Sequence, residues 1–279
     1  MAPDLPWQCV GRLVELESCR CEEPRSLACD EMMAPRQAAG VRTHAPPILM
    51  YHAVAALPRD PDRIAVSPAR FREQIGWLAR AGYRGVSVGE LVRAHARGSA
   101  RGLVGLTFDD GYRSVLEHAA PVLRQVGFTA TVFPVVERLG WHNAWDPQGP
   151  HLATLTVEEL RALREHGVEI GSHTLTHPML TRARPDHQAR EIAQSRLRLA
   201  ELLGQAPAGL SYPFGDVDAA VARLARTAGY AYACAVDTHR GWHRLALPRI
   251  RVAEADGPWR LRLRLARRDR GPWRPAAPR

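Results

Sequence analysis

The sequence contains no lysine, so all 38 of its basic residues are arginines. It also has no apolar run approaching the roughly 18 consecutive residues of a membrane span, which excludes an ordinary membrane-spanning helix. Its formal charge of +9 is unevenly placed, because residues 260–279 contain eight Arg and one Asp. The rest of the chain is therefore near neutral, and the high pI says little about a catalytic site. A length of 279 residues is enough for one large α/β domain with a substantial core.

Cysteine is nearly absent outside the first 29 residues. The five cysteines are Cys9, Cys19, Cys21, Cys29 and Cys234. Their spacing does not match paired C-x-x-C zinc knuckles. An odd total without a regular framework also argues against a disulfide-stapled secreted domain. We interpret residues 1–46 as a disordered or mis-started leader, with a small metal or disulfide knot as the alternative.

The chain divides into three predicted parts: the leader at 1–46, a folded domain at 47–256 and a basic, Arg- and Pro-rich tail at 257–279. No basic start followed by an apolar segment is visible, so no secretory signal peptide is predicted and a cytoplasmic location is the default expectation. Leu and Arg alternate at residues 260–265, which is typical of an edge strand, but blocks of like charge are more often solvated tails. The arginines of such a tail could contact an acidic glycan, nucleic acid or anionic lipid.

Strand and helix patterns alternate through the folded domain. This alternation predicts an α/β protein with a mainly parallel sheet and helices outside it. Ser67 followed by Pro68 is a helix-start signal. The residues Thr156 and Glu159 form a capping-box pattern at the start of another helix. Residues 141–152 form a loop of a length that is usually functional or mobile.

The stretch from 103 to 112 is an apolar run that ends in two carboxylates and a glycine. The run is too short for a typical helix and predicts a buried strand, whose carboxyl end in a parallel α/β fold lies where active sites gather. Because successive side chains on a strand point in opposite directions, we expect Asp109 and Asp110 to have different roles. The alternative is an ordinary turn, since Asp-Gly after a strand is a hairpin signal.

A second predicted strand, at residues 168–172, runs into His173 and His177. Histidines four apart share a face if the segment makes a helical turn. Neutral imidazole is a common metal ligand, and a carboxylate with two histidines makes a catalytic type of metal site. A surface or capping pair is the alternative for these histidines. Both motifs follow an apolar strand, so a barrel or sheet would bring them to one rim.

These motifs resemble those of a known family. Residues 107–111 (Thr-Phe-Asp-Asp-Gly) and 173–178 (His-Thr-Leu-Thr-His-Pro) are similar to the first two motifs of the polysaccharide deacetylases, carbohydrate esterase family 4. Residues 211–215 (Ser-Tyr-Pro-Phe-Gly) resemble the third, in the form of the branch that includes poly-N-acetylglucosamine deacetylases. The resemblance runs from about residue 47 to about residue 252 and implies a distorted (β/α)7-type barrel with a catalytic domain at 47–256.

The resemblance also implies roles for individual residues. Asp110, His173 and His177 would hold one divalent metal ion, and Asp109 would act as general base. Zinc suits this set of ligands, and cobalt or nickel would also fit. The backbone N–H of Phe214 would stabilise the oxyanion.

Two family positions differ here. The third motif commonly begins with an Arg that orients the base, but Ser211 and Tyr212 stand there, so that role is vacant or filled from elsewhere. Residues 247–250 (Leu-Pro-Arg-Ile) occupy the place of the fifth motif, which usually supplies a histidine acid. His52 ends the first predicted strand and is the candidate replacement, since the same branch carries a similar Tyr-His pair. A structural histidine is the alternative, and His142, His239 and His243 lie on loops that could also supply the acid.

Substrate contacts are expected from the third motif and from loop tryptophans. The candidates are Tyr212, Pro213, Trp141, Trp145 and Trp242, with ordinary core or rim packing as the alternative for the tryptophans. Residues 237–242 are the weak candidate for the fourth motif.

Three functions are compatible with these motifs. We favour a metal-dependent hydrolase that removes N-acetyl groups from N-acetylhexosamine units of a polysaccharide or oligosaccharide. The second is a deacetylase of a small intracellular N-acetylated metabolite, and the third is a glycan-binding module without activity, which the presence of all four motif residues disfavours. The expected partner is an N-acetylated glycan. No nucleic acid and no membrane span are expected, and the pattern does not predict an oligomeric state.

Overall fold

The computed structural model describes residues 46–236 and 243–268. Its strands are β1 Ile48–Tyr51, β2 Ala53–Val54, β3 Ala65–Val66, β4 Arg84–Val86, β5 Leu103–Phe108, β6 Thr131–Val132, β7 Glu169–Ile170, β8 Gly209–Ser211, β9 Tyr232–Val236 and β10 Leu247–Arg251. Its α-helices are α1 Pro68–Arg80, α2 Val88–Ala96, α3 Ala120–Gln125, α4 Val157–Glu165, α5 Pro185–Leu203, α6 Ala219–Thr227 and α7 Pro258–Arg268. A π-helical turn at Val115–Ala119 precedes α3. Short 3₁₀ turns lie at Val136–Arg138, Leu180–Arg182 and Pro213–Gly215.

The main sheet is parallel throughout and curves into a barrel. Its strand order is β7-β6-β5-β1-β10-β9-β8, and β4 pairs with the first half of β5. A parallel bridge between Ser172 and Leu210 joins the two ends of this order. The Ser172 N–H donates to the Gly209 carbonyl at 2.9 Å, and the Ser211 N–H donates to the Ser172 carbonyl at 2.8 Å. The predicted α/β barrel is confirmed in this nearly closed form.

The barrel strands β1 and β5 are largely apolar. All residues of β1 and β5 are buried, as expected for strands that are covered on both faces. Alternate side chains, such as Ile48 and Leu49, enter different clusters on the two sides of the sheet. The outer cluster includes Phe71, Ile75 and Leu78 of α1. The strands are therefore packed on both faces, and the residues that follow them lie at their carboxyl ends.

Local helix signals behave as predicted. The Ser67 hydroxyl accepts a hydrogen bond from the Arg70 N–H at 3.2 Å and caps α1. The capping box of α4 forms in both directions between Thr156 and Glu159. Within the described residues, no helix is both long enough and apolar enough to cross a membrane.

The expectation for the start of the tail is wrong. Residues 258–268 form helix α7 rather than an edge strand or a solvated segment. Leu261 and Leu265, four residues apart, are buried in the cluster that contains α1. An alternation of Leu and Arg is compatible with a helix as well as a strand. In a helix, leucines four residues apart, such as Leu261 and Leu265, lie on the same face.

Candidate metal centre and active site

A cavity of about 370 Å³ lies at the carboxyl ends of the barrel strands. Its lining includes His52 after β1, Asp109 and Asp110 after β5, His173 and His177 after β7, and Phe214 after β8. Trp145, from the predicted long loop, completes one wall. The parallel topology therefore gathers at one rim the residues that the motifs single out.

Asp110, His173 and His177 are buried together at this rim, and their nearest ligand-type atoms lie within 4.8 Å of one another. Asp110 Oδ1 lies 3.4 Å from Nε2 of His173 and 3.4 Å from Nε2 of His177. Two atoms that each lie about 2.1 Å from a tetrahedral zinc ion are about 3.4 Å apart. The spacing therefore fits a shared divalent cation better than it fits two hydrogen bonds, which would be shorter.

The electrostatics of the cluster also fit a cation. Asp110 Oδ1 is buried and forms no hydrogen bond with any residue in the described ranges. A buried acceptor without a partner is costly, so it is expected to have a partner when the site is in use. Burial by itself would raise the pKa of Asp110, but the neighbouring imidazoles of His173 and His177 lower it well below its usual range. The carboxylate is therefore ionised and suited to binding a cation.

His173 is oriented through its second ring nitrogen. Its Nδ1 lies 2.8 Å from the Ser211 carbonyl, which can only accept, so Nδ1 carries the proton and Nε2 faces Asp110. A backbone carbonyl in this position is a common means of orienting a ligand histidine. Burial lowers the pKa of His173, but Asp109 and Asp110 raise it by more, so its pKa is raised overall. The two carboxylates thus place negative charge beside the His173 ring.

The helical turn that would place the two histidines on one face does not form. Residues 173–179 are irregular, and Thr174 and His177 have positive φ values of 67° and 70°. Residues other than glycine rarely adopt this left-handed conformation, and it clusters at functional sites. The convergence of His173 and His177 therefore depends on contacts that hold this loop.

Glu191 of α5 supplies such contacts. Its Oε2 accepts hydrogen bonds from the N–H groups of Leu175 at 2.9 Å and Thr176 at 3.0 Å, and its Oε1 accepts from the Thr176 hydroxyl at 2.6 Å. Glu191 is buried, so these charge-assisted bonds are shielded from water. A single carboxylate therefore fixes the segment between the two histidines.

Asp109 is held by an arginine that the motifs did not identify. Arg249 of β10 donates from Nη1 to Oδ1 and from Nη2 to Oδ2 of Asp109, each at 2.7 Å. Both side chains are buried. Arg249 lies in the segment where a fifth-motif histidine was sought, and it makes the contact with Asp109 that the resemblance assigns to an Arg of the third motif.

The ion pair sets the charge of Asp109. Burial by itself would raise the pKa of Asp109, but Arg249 and then His173 lower it by more, so the pKa is lowered overall. The Ser211 hydroxyl lies 3.2 Å from Oδ2 of Asp109 and is also a hydrogen-bond donor to it. Asp109 is therefore a buried, ionised and firmly oriented carboxylate.

Strand alternation does not separate the two carboxylates as expected, because both line the cavity. β5 ends at Phe108, and Asp110 has a φ of 70°, so the alternation of side chains along the strand does not continue to Asp110. Different contacts distinguish them: Asp109 pairs with Arg249, whereas Asp110 faces His173 and His177. The Asp-Gly pair does form a turn, in which Gly111 also has positive φ, but β5 pairs only with parallel strands and does not enter a hairpin.

The predicted substrate contacts are only partly placed at the cavity. Trp145 and Phe214 flank His177, with ring centroids 5.1 and 4.8 Å from the imidazole. Tyr212 is buried in the core, and its hydroxyl donates to the Leu245 carbonyl at 2.9 Å. The prediction that Tyr212 contacts the substrate directly is therefore wrong.

Pro213 is also buried and does not line the cavity, which corrects its expected role in the same way. Trp141 is exposed beside His142, outside the cavity lining. Trp242, His239 and the weak fourth motif at 237–242 lie outside the described residues.

The fold and site together define an α/β-barrel protein with a metal-ligand type of cluster and an ion-paired carboxylate at the carboxyl ends of its strands. A family model described as polysaccharide deacetylase matches residues 96–233. A Bacillus subtilis (strain 168) protein, YxkH, assigned by name to the polysaccharide deacetylases, is 29% identical over 223 residues, which cover 77% of this chain and 75% of that protein. The poly-beta-1,6-N-acetyl-D-glucosamine N-deacetylase of Escherichia coli (strain K12) is 28% identical over 151 residues, covering 53% of this chain and 19% of that enzyme.

Solved structures agree with these matches. A Streptococcus pyogenes deacetylase, PplD, in complex with acetate has a TM-score of 0.66 and 27% identity, covering 78% of this chain and 96% of that chain. IcaB from Ammonifex degensii has a TM-score of 0.68 and the same fold at 24% identity, covering 82% and 98%. Residues 96–233 therefore match the polysaccharide deacetylase family, and the barrel is similar in sequence and fold to deacetylases over 77–78% of the chain.

Replacing Glu191 by Gln should weaken Zn²⁺ binding by about 10- to 100-fold, the usual effect of losing a group that orients metal ligands. The amide keeps one acceptor oxygen instead of two and loses the negative charge that strengthens these bonds. The measurement is competition for Zn²⁺ with a chelating dye, together with thermal unfolding of the metal-free protein.

The matched control is Glu169→Gln, because Glu169 also accepts from a backbone N–H and a threonine hydroxyl, those of Gly89 and Thr131, but at the start of β7. This control should lower stability without changing the Kd for Zn²⁺. Equal changes in Kd for both variants would contradict a local role for Glu191.

Proposed function

We propose that this protein is a metal-dependent hydrolase that removes N-acetyl groups from N-acetylhexosamine units of a polysaccharide or oligosaccharide. One observation carries the proposal: Asp109, ion-paired with Arg249, lies beside the Asp110–His173–His177 cluster in a single cavity. Amide hydrolysis needs both an activated water and a stabilised oxyanion, and these two neighbouring groups are suited to those tasks.

Asp110, His173 and His177 would hold the metal ion. When bound, a divalent cation such as Zn²⁺ supplies polarisation of the amide carbonyl and a lower pKa for coordinated water. Zinc is favoured by the combination of two imidazoles and one carboxylate, although cobalt or nickel suits the same ligands. The protein's part is to keep the three ligand atoms close and dehydrated before the cation arrives.

Asp109 would take the proton from the attacking water. Its two oxygens each accept from Arg249, which fixes the plane of the carboxylate and leaves lone pairs for the incoming proton. Because the Arg249 guanidinium lowers the pKa of Asp109, the base is ionised when the substrate binds. A general base of this kind contributes roughly 10²- to 10⁴-fold to the rate.

The Phe214 N–H would stabilise the oxyanion. Phe214 has a φ of 59°, and the hydrogen bonds of its 3₁₀ turn are donated by Gly215 and Asp216 instead. Its ring packs edge-on against His177 at a centroid distance of 4.8 Å. This contact supports the placement of the Phe214 backbone beside the cluster.

His52 would donate a proton to the leaving amine. It lines the same cavity as Asp109 and Asp110, as its position after β1 predicted. Burial lowers the pKa of His52, although Asp110 and Asp109 oppose this effect. A lowered pKa makes the imidazolium a stronger acid and reduces its population at neutral pH.

A sugar unit fits the cavity better than an extended chain does. A volume of about 370 Å³ lies near the lower end for ligand sites, so one N-acetylhexosamine would enter while its neighbours lie outside. Trp145 lines the cavity and offers an aromatic face to the sugar. The E. coli relative acts by name on a polymer of N-acetylglucosamine, which supports this substrate class over a small metabolite.

The test is acetate release by the chelator-treated and Zn²⁺-reloaded protein. We expect release from N-acetylglucosamine oligomers, no release without metal, and little release from small N-acetylated amino acids. The reverse preference would favour the metabolite deacetylase. Stoichiometric metal and oligosaccharide binding without any acetate release would favour a binding module.

The role of His52 is tested with His52→Ala on an amide and on an activated acetyl ester. An ester has a good leaving group and needs little protonation, so amide turnover should fall much further than ester turnover. The exposed His118, outside the cavity lining, provides the control His118→Ala, which should change neither rate. Equal losses on both substrates would remove His52 from the protonation step.

A further inference from the structure

Helix α7 has an exposed apolar stripe as well as a buried one. Leu261 and Leu265 are buried against the domain, whereas Trp259 is 66% exposed and Leu263 is 38% exposed. Trp259, Leu263 and Ala266 are spaced by four and three residues and therefore share one face of the helix. That face lies opposite Leu261 and Leu265, so packing of α7 against the domain does not account for Trp259 and Leu263.

Arginines border the exposed stripe. Arg260 and Arg262 are both exposed and lie on opposite sides of it at helical spacing. Arg264, by contrast, is engaged with Asp256 at 2.6 Å. The charge of the chain is concentrated in the same region, since residues 260–279 carry eight Arg and one Asp, a balance of +7 out of +9.

We propose that the exposed face of α7, defined by Trp259, Leu263, Arg260 and Arg262, docks onto an anionic lipid surface. A helix that lies in a membrane interface presents Trp and Leu to the acyl boundary and arginines to the headgroup phosphates. The positive charge of residues 260–279 is complementary to an anionic lipid surface and would attract α7 to it. A soluble polyanion would engage the arginines alone and leave the apolar stripe without a partner. This surface is independent of the proposed catalytic cavity.

The experiment is co-sedimentation of the full chain with vesicles of phosphatidylcholine, with and without phosphatidylglycerol. We expect binding only to the vesicles that contain phosphatidylglycerol, and weaker binding as salt is raised. Each arginine near the surface is worth roughly a five-fold change in affinity, so Arg260→Gln/Arg262→Gln should lose about 20- to 30-fold. Trp259→Ser/Leu263→Ser should lose more than about tenfold by removing the inserted apolar groups.

Matched controls lie elsewhere on the surface. Leu197→Ser removes a leucine that is 52% exposed on α5, and Arg223→Gln/Arg226→Gln removes the same charge from exposed positions on α6. Both controls should bind vesicles nearly as well as the wild type. Unchanged thermal unfolding and unchanged acetate release from soluble oligomers would show that the α7 variants are folded.

Three results with vesicles would overturn the proposal. The first is equal binding to vesicles that lack phosphatidylglycerol. The second is retention of binding by Trp259→Ser/Leu263→Ser, and the third is equal loss in the control variants. Tighter binding to soluble polygalacturonate, insensitive to the Trp259 and Leu263 substitutions, would assign the arginines to an acidic glycan instead.

Discussion

A fully buried guanidinium paired with a buried carboxylate is the interaction on which this site depends. Arg249 bonds to both oxygens of Asp109, to the hydroxyls of Thr107 and Ser211, and to the Ala235 carbonyl. These contacts join β5, β8, β9 and β10 at their carboxyl ends. Removal of either charge would leave the other buried without a partner, at a cost of about 3–5 kcal/mol. The stability of the barrel rim and the orientation of the proposed base are therefore linked.

The Arg249–Asp109 pair also makes the surroundings of Asp109 different from those of Asp110. The negative charge of Asp109 is neutralised by Arg249, so Asp109 is less suited than Asp110 to binding a cation. The same two hydrogen bonds orient its carboxylate to accept a proton. Asp110 faces two imidazoles and retains an oxygen without a hydrogen bond among the described residues. The left-handed backbone at Asp110 allows both side chains to reach one cavity, which an uninterrupted strand would prevent. Glu191 completes the arrangement by holding the loop between His173 and His177.

Local signals in the sequence predicted the strands, the capped helices and the residues at strand ends, because each depends on a few neighbouring residues. The partnership of Arg249 with Asp109 spans 140 positions and follows from barrel closure. The sequence pointed to this pair only through Arg249, which stands among apolar residues, since a buried charge needs a partner. Glu191 lies 15 positions from Thr176 on an amphipathic helix and has no distinguishing signal. The left-handed residues at 110, 174 and 177 are not glycine, and non-glycine residues adopt this conformation too rarely for propensity to predict it.

The central claim is the division of roles between Asp109 and Asp110, and a Zn²⁺ titration of Asp109→Asn and Asp110→Asn tests it most directly. The account predicts that Asp109→Asn still binds one Zn²⁺ per chain, and far more tightly than Asp110→Asn does, but releases little acetate. Asp110→Asn should bind Zn²⁺ more than about 100-fold more weakly, since a first ligand matters more than the groups that orient it. Loss of Zn²⁺ binding in Asp109→Asn, with binding retained in Asp110→Asn, would contradict the account.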